Sequence, residues 1–247
     1  IDIFEEGQYG VETEAQIDRE LSRDEIAAGI QTEGYLRGPR LGFTPVKLAI
    51  YDSSQSLNSD IDNTAIDAFQ SNNLTAGLEI MASAAPNKYL RNTSKRFVKP
   101  AQGTQIEIVD SLTLNGKDVS GLFDPSTNTI KLDSVLGLNY HTVLHEISHA
   151  VGSAELSNPK SAFTKRMTNL FNDTKDMLGS AYGSVNVQEF FAEGMSNESF
   201  RQNLARINPK GSPISALTRF TANVQRLLNR ILGRNILKDK TALTEFD

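Results

Sequence analysis

Residues 140–152 read Tyr-His-Thr-Val-Leu-His-Glu-Ile-Ser-His-Ala-Val-Gly. His145, Glu146 and His149 form an HExxH pattern, and His141 lies four residues before it. These are the only histidines in 247 residues, so chance is a poor account of the spacing. Val143, Leu144, Ile147, Ala150 and Val151 surround the polar positions at helical intervals, which predicts a core-embedded helix over Tyr140–Val151. Gly152 reads as its C-cap. On a helix, positions i and i+4 lie one turn apart on one face. Two imidazoles placed so can meet one metal ion, while Glu146, rotated by about 100°, can reach a water on that ion without ligating. Two nitrogens and no thiol favour zinc (Zn2+). The bland alternative is a His–Glu–His cluster that holds no metal.

Working outward, the flanks set the fold class. Upstream, Val46–Asp52 reads as a short strand, residues 53–63 as a loop and Leu74–Ala85 as a helix. Pro86 then opens a second helix to about Phe97. Gln105–Leu112 reads as a strand, and Gly121–Asp133 as a hairpin turning at Asp124-Pro125-Ser126. Downstream, helices are predicted from about Ser161 to Leu178 and from Val187, separated by a Gly/Ser loop at 179–186. Leu217, Phe220, Val224, Leu227, Leu228, Ile231 and Leu232 form one stripe, so Ile214–Leu232 is an amphipathic helix suited to core or partner contact. The expectation is a mainly helical α+β fold with a small sheet beside the HExxH helix. It divides into an N-terminal arm at 1–44 (with a short helix at Asp18–Gln31), a main domain at 45–205 and a basic C-terminal helix and tail at 206–247.

Composition excludes several classes. Without cysteine there are no disulfides, thiol nucleophiles or Cys-ligated metals. Charged residues make up 22%, and no run approaches the roughly 18 apolar residues of a membrane span. The net charge of −5 exerts no general pull on nucleic acid. Residues 1–26 carry nine acids and two bases, whereas residues 201–240 carry nine bases and one acid. The two ends read as solvated faces, as mutually docking segments, or as a basic tail for an acidic partner. No signal-peptide pattern opens the sequence at Ile1, which reads as the start of a processed product or of a piece of something longer.

A catalytic zinc site needs a third protein ligand and an open position. His141 lies about 12 Å along the helix axis from His149, too far to share its ion. It reads as a group behind the ligands, a substrate contact or a surface residue. Two carboxylates remain. Glu155 would follow if Gly152 turned the chain back toward the metal. Glu189 lies in Asn186-Val-Gln-Glu189-Phe-Phe-Ala-Glu193, where Glu189 and Glu193 share a helix face. Glu189 could ligate and Glu193 could orient a ligand imidazole. Asn186 and Glu189 also make a capping box, which is a competing account of Glu189.

HEISHAV followed some thirty residues later by Tyr182-Gly-x-x-Asn186-x-x-Glu189-Phe-Phe-Ala-Glu193 resembles the catalytic domain of anthrax lethal factor-like zinc metallopeptidases. Similar domains occur in large phage and mobile-element multidomain proteins. The resemblance covers about residues 121–200. It implies a zincin-like fold, with zinc bound by His145, His149 and Glu189, Glu146 as base and Tyr182 assisting from seven residues before Glu189. Glu193 and His141 would stand behind the ligands. The implied activity is hydrolysis of peptide bonds by metal-activated water. Substrates would be proteins or peptides, including parts of the chain's own precursor or virion proteins. Strand Thr129–Asp133 is the expected cleft edge. The phage connection points to the virion or the bacterial host cytoplasm; the residues themselves assign no compartment. The alternative from another class is a non-catalytic structural module with a metal-stabilised or relic peptidase fold.

Overall fold

The computed structural model describes residues 60–209 and 212–233. The N-terminal arm, the helix expected at Asp18–Gln31, the strand expected at Val46–Asp52 and the tail after residue 233 lie outside the described residues. Eight helices are described: α1 (Asn63–Gln70), α2 (Leu74–Ala84), α3 (Lys88–Phe97), α4 (Tyr140–Leu156), α5 (Ala162–Leu178), α6 (Val187–Ser196), α7 (Glu198–Arg206) and α8 (Ala216–Ile231). Each starts behind an Asp, Asn or Ser whose side chain accepts a hydrogen bond from a backbone N–H of the first turn. Pro86 stands before the cap Asn87 rather than inside α3.

Five strands are described beside them: β1 (Gln105–Val109), β2 (Thr113–Leu114), β3 (Lys117–Asp118), β4 (Gly121–Asp124) and β5 (Thr129–Asp133). The described fold is thus mainly helical α+β. The expected hairpin is present as the antiparallel pair β4–β5, with Gly121 opposite Leu132. The strand expected at Gln105–Leu112 forms over Gln105–Val109, but its pairing with this hairpin is not legible in the sequence. β5 also pairs in parallel with β1, Ile106 opposite Ile130, which gives the order β1-β5-β4. β5 is therefore the central strand, with four of its five residues buried, and the expectation that Thr129–Asp133 is the cleft edge is corrected to β4. A small hairpin, β2–β3, turns at Asn115-Gly116, both with positive φ.

α4 lies in the core, with Val143, Leu144 and Ile147 fully buried. It packs against β4, β5 and α6. Gly152 does not end this helix, which continues to Leu156 and is capped at Ser157. The glycine is a packing device. A Cβ there would lie 2.6 Å from Phe191 Cε1 on α6, well inside carbon–carbon contact distance. The core continues through edge-to-face phenylalanines: Phe190 stands 5.7 Å from Phe171, 5.7 Å from Phe200 and 5.8 Å from Phe220. Phe220, Val224 and Leu227 of α8 belong to this same buried cluster, so over Ala216–Ile231 the segment set apart at 206–247 is part of the main core. Among the described residues no helix is long and apolar enough to cross a membrane.

Candidate metal centre

The entry to α4 is fixed by buried polar groups. The carboxylate of Asp133, at the end of β5, accepts from the N–H groups of Val135 and Leu136 at 2.9 Å each and of Leu112 at 3.3 Å. Asn139 caps Thr142 N at 2.9 Å and donates its own amide to Leu136 O at 2.9 Å. These bonds set the rotation of α4 against the sheet. On its next turns the helix presents His141, His145 and His149 toward α6.

α6 answers with two carboxylates. Asn186 caps Glu189 N at 2.9 Å, so half of the predicted capping box forms. The reciprocal half gives way to the histidines: Glu189 Oε2 lies 3.0 Å from His145 Nε2 and 3.4 Å from His149 Nε2. The two Nε2 atoms are 3.1 Å apart. One turn on, Glu193 Oε1 meets His141 Nε2 at 3.0 Å and lies 3.1 Å from His145 Nδ1, off the line of a hydrogen bond. Its Oε2 accepts from Asn197 Nδ2 at 2.7 Å. His141 thus joins the cluster through Glu193 rather than at the donors shared by the other two histidines.

Among the described residues, two groups of side chains could hold a metal ion: His145, His149 and Glu189, and also His141, His145 and Glu193. Glu155 is in neither. It sits at the far end of α4, paired with Arg230 at 2.8 Å and accepting from Ser161. Those contacts, the serine first and then the arginine, hold its carboxyl below the usual range. Because α4 runs straight through Gly152, the return of the chain that Glu155 needed does not occur.

Charge distribution follows from burial and pairing. Burial of His145 would lower its pKa, but its contacts with Glu189 and Glu193 and the charges of Glu193 and Glu146 outweigh this and raise it to about 10. Burial acts on Glu189 in the opposite sense, yet His145 and His149 bring it down to about 2. Glu193, also buried, is held well below the carboxylate range by His141 and His145. Glu146 differs from both. It accepts no imidazole donor, and burial raises its pKa, with the charges of His145 and His149 opposing. The site therefore holds two carboxylates of lowered pKa, Glu189 and Glu193, beside one of raised pKa, Glu146.

Compared with protein-family models, with curated proteins and with solved structures, the chain matches none.

A cleft of about 750 Å³ opens over the cluster. One wall is β4 with Pro125 and the hairpin residue Leu114; the other is the N-terminal end of α6 with Tyr182. The expected loop at 179–186 contains a 3₁₀ turn, Tyr182–Ser184, which leaves Tyr182 59% exposed with its ring 6.0 Å from that of His145. Gly121 lets β4 approach α4 closely: a Cβ there would stand 2.7 Å from Glu146 Cγ and 2.8 Å from Thr142 Cγ2. Sequence reasoning did not single out Gly121, Asn139 or Asp133. A local signal existed only for Asn139, the polar residue before the first helical turn.

Proposed function

We propose that the protein is a zinc-dependent metallopeptidase whose metal is held by His145, His149 and Glu189. The observation that carries this reading is the triangle of donor atoms, with edges of 3.0, 3.1 and 3.4 Å. Tetrahedral zinc with bonds of about 2.0–2.1 Å sets neighbouring ligand atoms roughly 3.3 Å apart. Two imidazole nitrogens and a carboxylate oxygen this close together can share one cation, and the donor set fits zinc. The second group fits it less well, because Glu193 is already engaged by Asn197 and its contacts with the two imidazoles match an orienting acceptor.

Bound there, zinc supplies a Lewis acid for a carbonyl and lowers the pKa of a water toward about 7. The chain's own groups do the rest. Glu193 orients His145 from behind. Glu146, with its raised pKa, takes a proton from the attacking water and returns it to the leaving amine. Tyr182 reaches over the cleft as a donor to the developing oxyanion, a role worth about 3–4 kcal/mol. The side of β4 away from β5 pairs with no strand among the described residues, so an extended peptide can add to the sheet there by main-chain hydrogen bonds.

The test is elemental analysis of the purified chain and its variants alongside peptide hydrolysis. Wild type is expected to hold one zinc, Glu189→Ala to lose it, and Glu155→Ala to retain it. Glu146→Gln is expected to keep the metal and lose turnover. Retention of zinc by Glu189→Ala refutes the ligand set. A wild type that holds zinc but cleaves no member of a broad peptide library is the result expected of the structural-module reading.

A further inference from the structure

On the flank formed by α5 and α8 lies a second cavity, of about 320 Å³. Its charge is opposite to that of the metal cleft. Arg166, Arg219 and Arg226 line it together with Asn169, Thr218 and Asn223. Arg219 has a carboxylate partner, Asp173, at 3.2 Å. Neighbouring Arg230 has Glu155 at 2.8 Å. Arg166 and Arg226 have none within ion-pair distance among the described residues. Instead Arg166 Nε and one terminal nitrogen of Arg226 each donate, at 3.2 Å, to the same Oδ1 of Asn223, a buried side chain.

The arrangement leaves two guanidinium groups, Arg226 exposed and Arg166 half-buried, sharing one neutral acceptor. Two cations converge on one neutral oxygen, and like charges held close repel. Burial and the charges of Arg226 and Arg230 lower the pKa of Arg166, with the more distant Glu155 carboxylate opposing. A ligand that relieves the repulsion must bring about two negative charges and accept several N–H bonds in a small space. A phosphate with a free terminus meets both demands, with a charge of about −1.5 to −2 at neutral pH and three acceptor oxygens. Guanidinium forks match such oxygens two at a time. A lone carboxylate or a phosphodiester brings one charge only.

We propose that the pocket between α5 and α8 binds a dianionic phosphate group, either as inorganic phosphate or as a phosphomonoester. The site uses no residue of the metal centre.

Calorimetric titration of the full chain as purified, with any bound metal left in place, tests this at constant ionic strength, and the arginine variants separate the pocket from the metal centre. The probes are inorganic phosphate, phenyl phosphate, dimethyl phosphate and acetate. Saturable binding of one phosphate or one phenyl phosphate is expected, at least tenfold tighter than dimethyl phosphate or acetate. Tighter binding of inorganic phosphate assigns the site to the free anion, and tighter binding of phenyl phosphate to a monoester. Arg166→Gln and Arg226→Gln should each weaken binding at least tenfold, while Arg206→Gln outside the pocket leaves it unchanged. Arg166→Lys keeps the charge and loses the fork, so it guards against a folding defect and should weaken binding several-fold. The proposal is overturned by an absence of saturable binding, by equal binding of all four anions, or by binding that survives loss of either arginine. Displacement of phosphate by a peptide of residues 1–26 at lower concentration also overturns it, because the occupant is then an acidic segment.

Discussion

Replacing Gly152 by alanine tests the packing of α4 on α6 without touching a proposed ligand. The position is in the helix interior, where alanine is favoured over glycine by about 1 kcal/mol. Were the glycine merely a helix residue, the variant would be more stable. The structure puts the new Cβ 2.6 Å from Phe191 Cε1, 2.9 Å from its Cδ1 and 3.3 Å from Leu156 Cδ1. Carbon contacts are optimal at about 3.5–4.0 Å, so the ring must retreat by roughly 1 Å. Phe191 has little room for that, being 1% exposed and packed edge-on against Phe163 at 5.7 Å. Overpacking of this kind costs about 1–3 kcal/mol. Set against the propensity gain, the expected net loss is about 1 kcal/mol, a fall in Tm of about 2–4 °C for a chain of this size. The wedge also acts on the site, because His149 lies one turn before Gly152 and Glu189 two residues before Phe191. Pushing α4 from α6 widens the donor triangle, so zinc affinity should fall about tenfold in competition with a chromophoric chelator. Thermal unfolding of the metal-free chain by circular dichroism supplies the other readout. A rise in Tm with unchanged zinc affinity would refute the packing argument.

Four further outcomes follow from the same geometry. Gly121→Ala places a methyl against Glu146 and should reduce peptide turnover by roughly a hundredfold while zinc content stays the same, since a shift near 1 Å in a catalytic group has that effect. Glu193→Gln removes the charge behind His145 and should weaken zinc binding by about 10–100-fold, measured by the same chelator competition. The pKa of His145 is raised to about 10 from an unfolded value near 6.5. In the metal-free chain its contribution to stability is therefore complete below about pH 6.5 and lost as pH rises through about 10, which denaturant titrations across that window will show as a falling free energy. Zinc at the proposed site would compete with that same proton, so its apparent affinity should rise over the interval in which the metal-free chain weakens.

What could be read from the chain, and what could not, divides along the range of the interactions. α5 begins at its Ser161 cap and ends at Leu178 as the pattern indicates, because both ends are set by residues close at hand. The HExxH spacing places His145 and His149 on one face by helix geometry alone. Whether Glu155 can join them depends on whether α4 ends at Gly152, and the packing role of that glycine is set by Phe191, thirty-nine residues further on. Nothing local separates a glycine that ends a helix from one that admits a ring. The rank of β5 in the sheet was hidden for a similar reason. A strand gains its second neighbour from a distant segment, here Gln105–Val109 in parallel, and its own residues read as a hairpin arm either way. α1 was missed although Asp62 caps it and Ala65 and Phe69 share its buried face, since eight residues carry little periodicity. The Asn115-Gly116 turn was legible from its dipeptide and was passed over.

The proposed ligands come from segments far apart along the chain: 44 residues separate His145 from Glu189, and all of α5 lies between them. An ion held by both would act as a clasp closing that loop. Its binding would be coupled to the order of every residue enclosed, including the phenylalanines that α5 and α6 share. Stripping the metal should therefore make α5, rather than the sheet, the first segment whose amide hydrogens exchange with solvent.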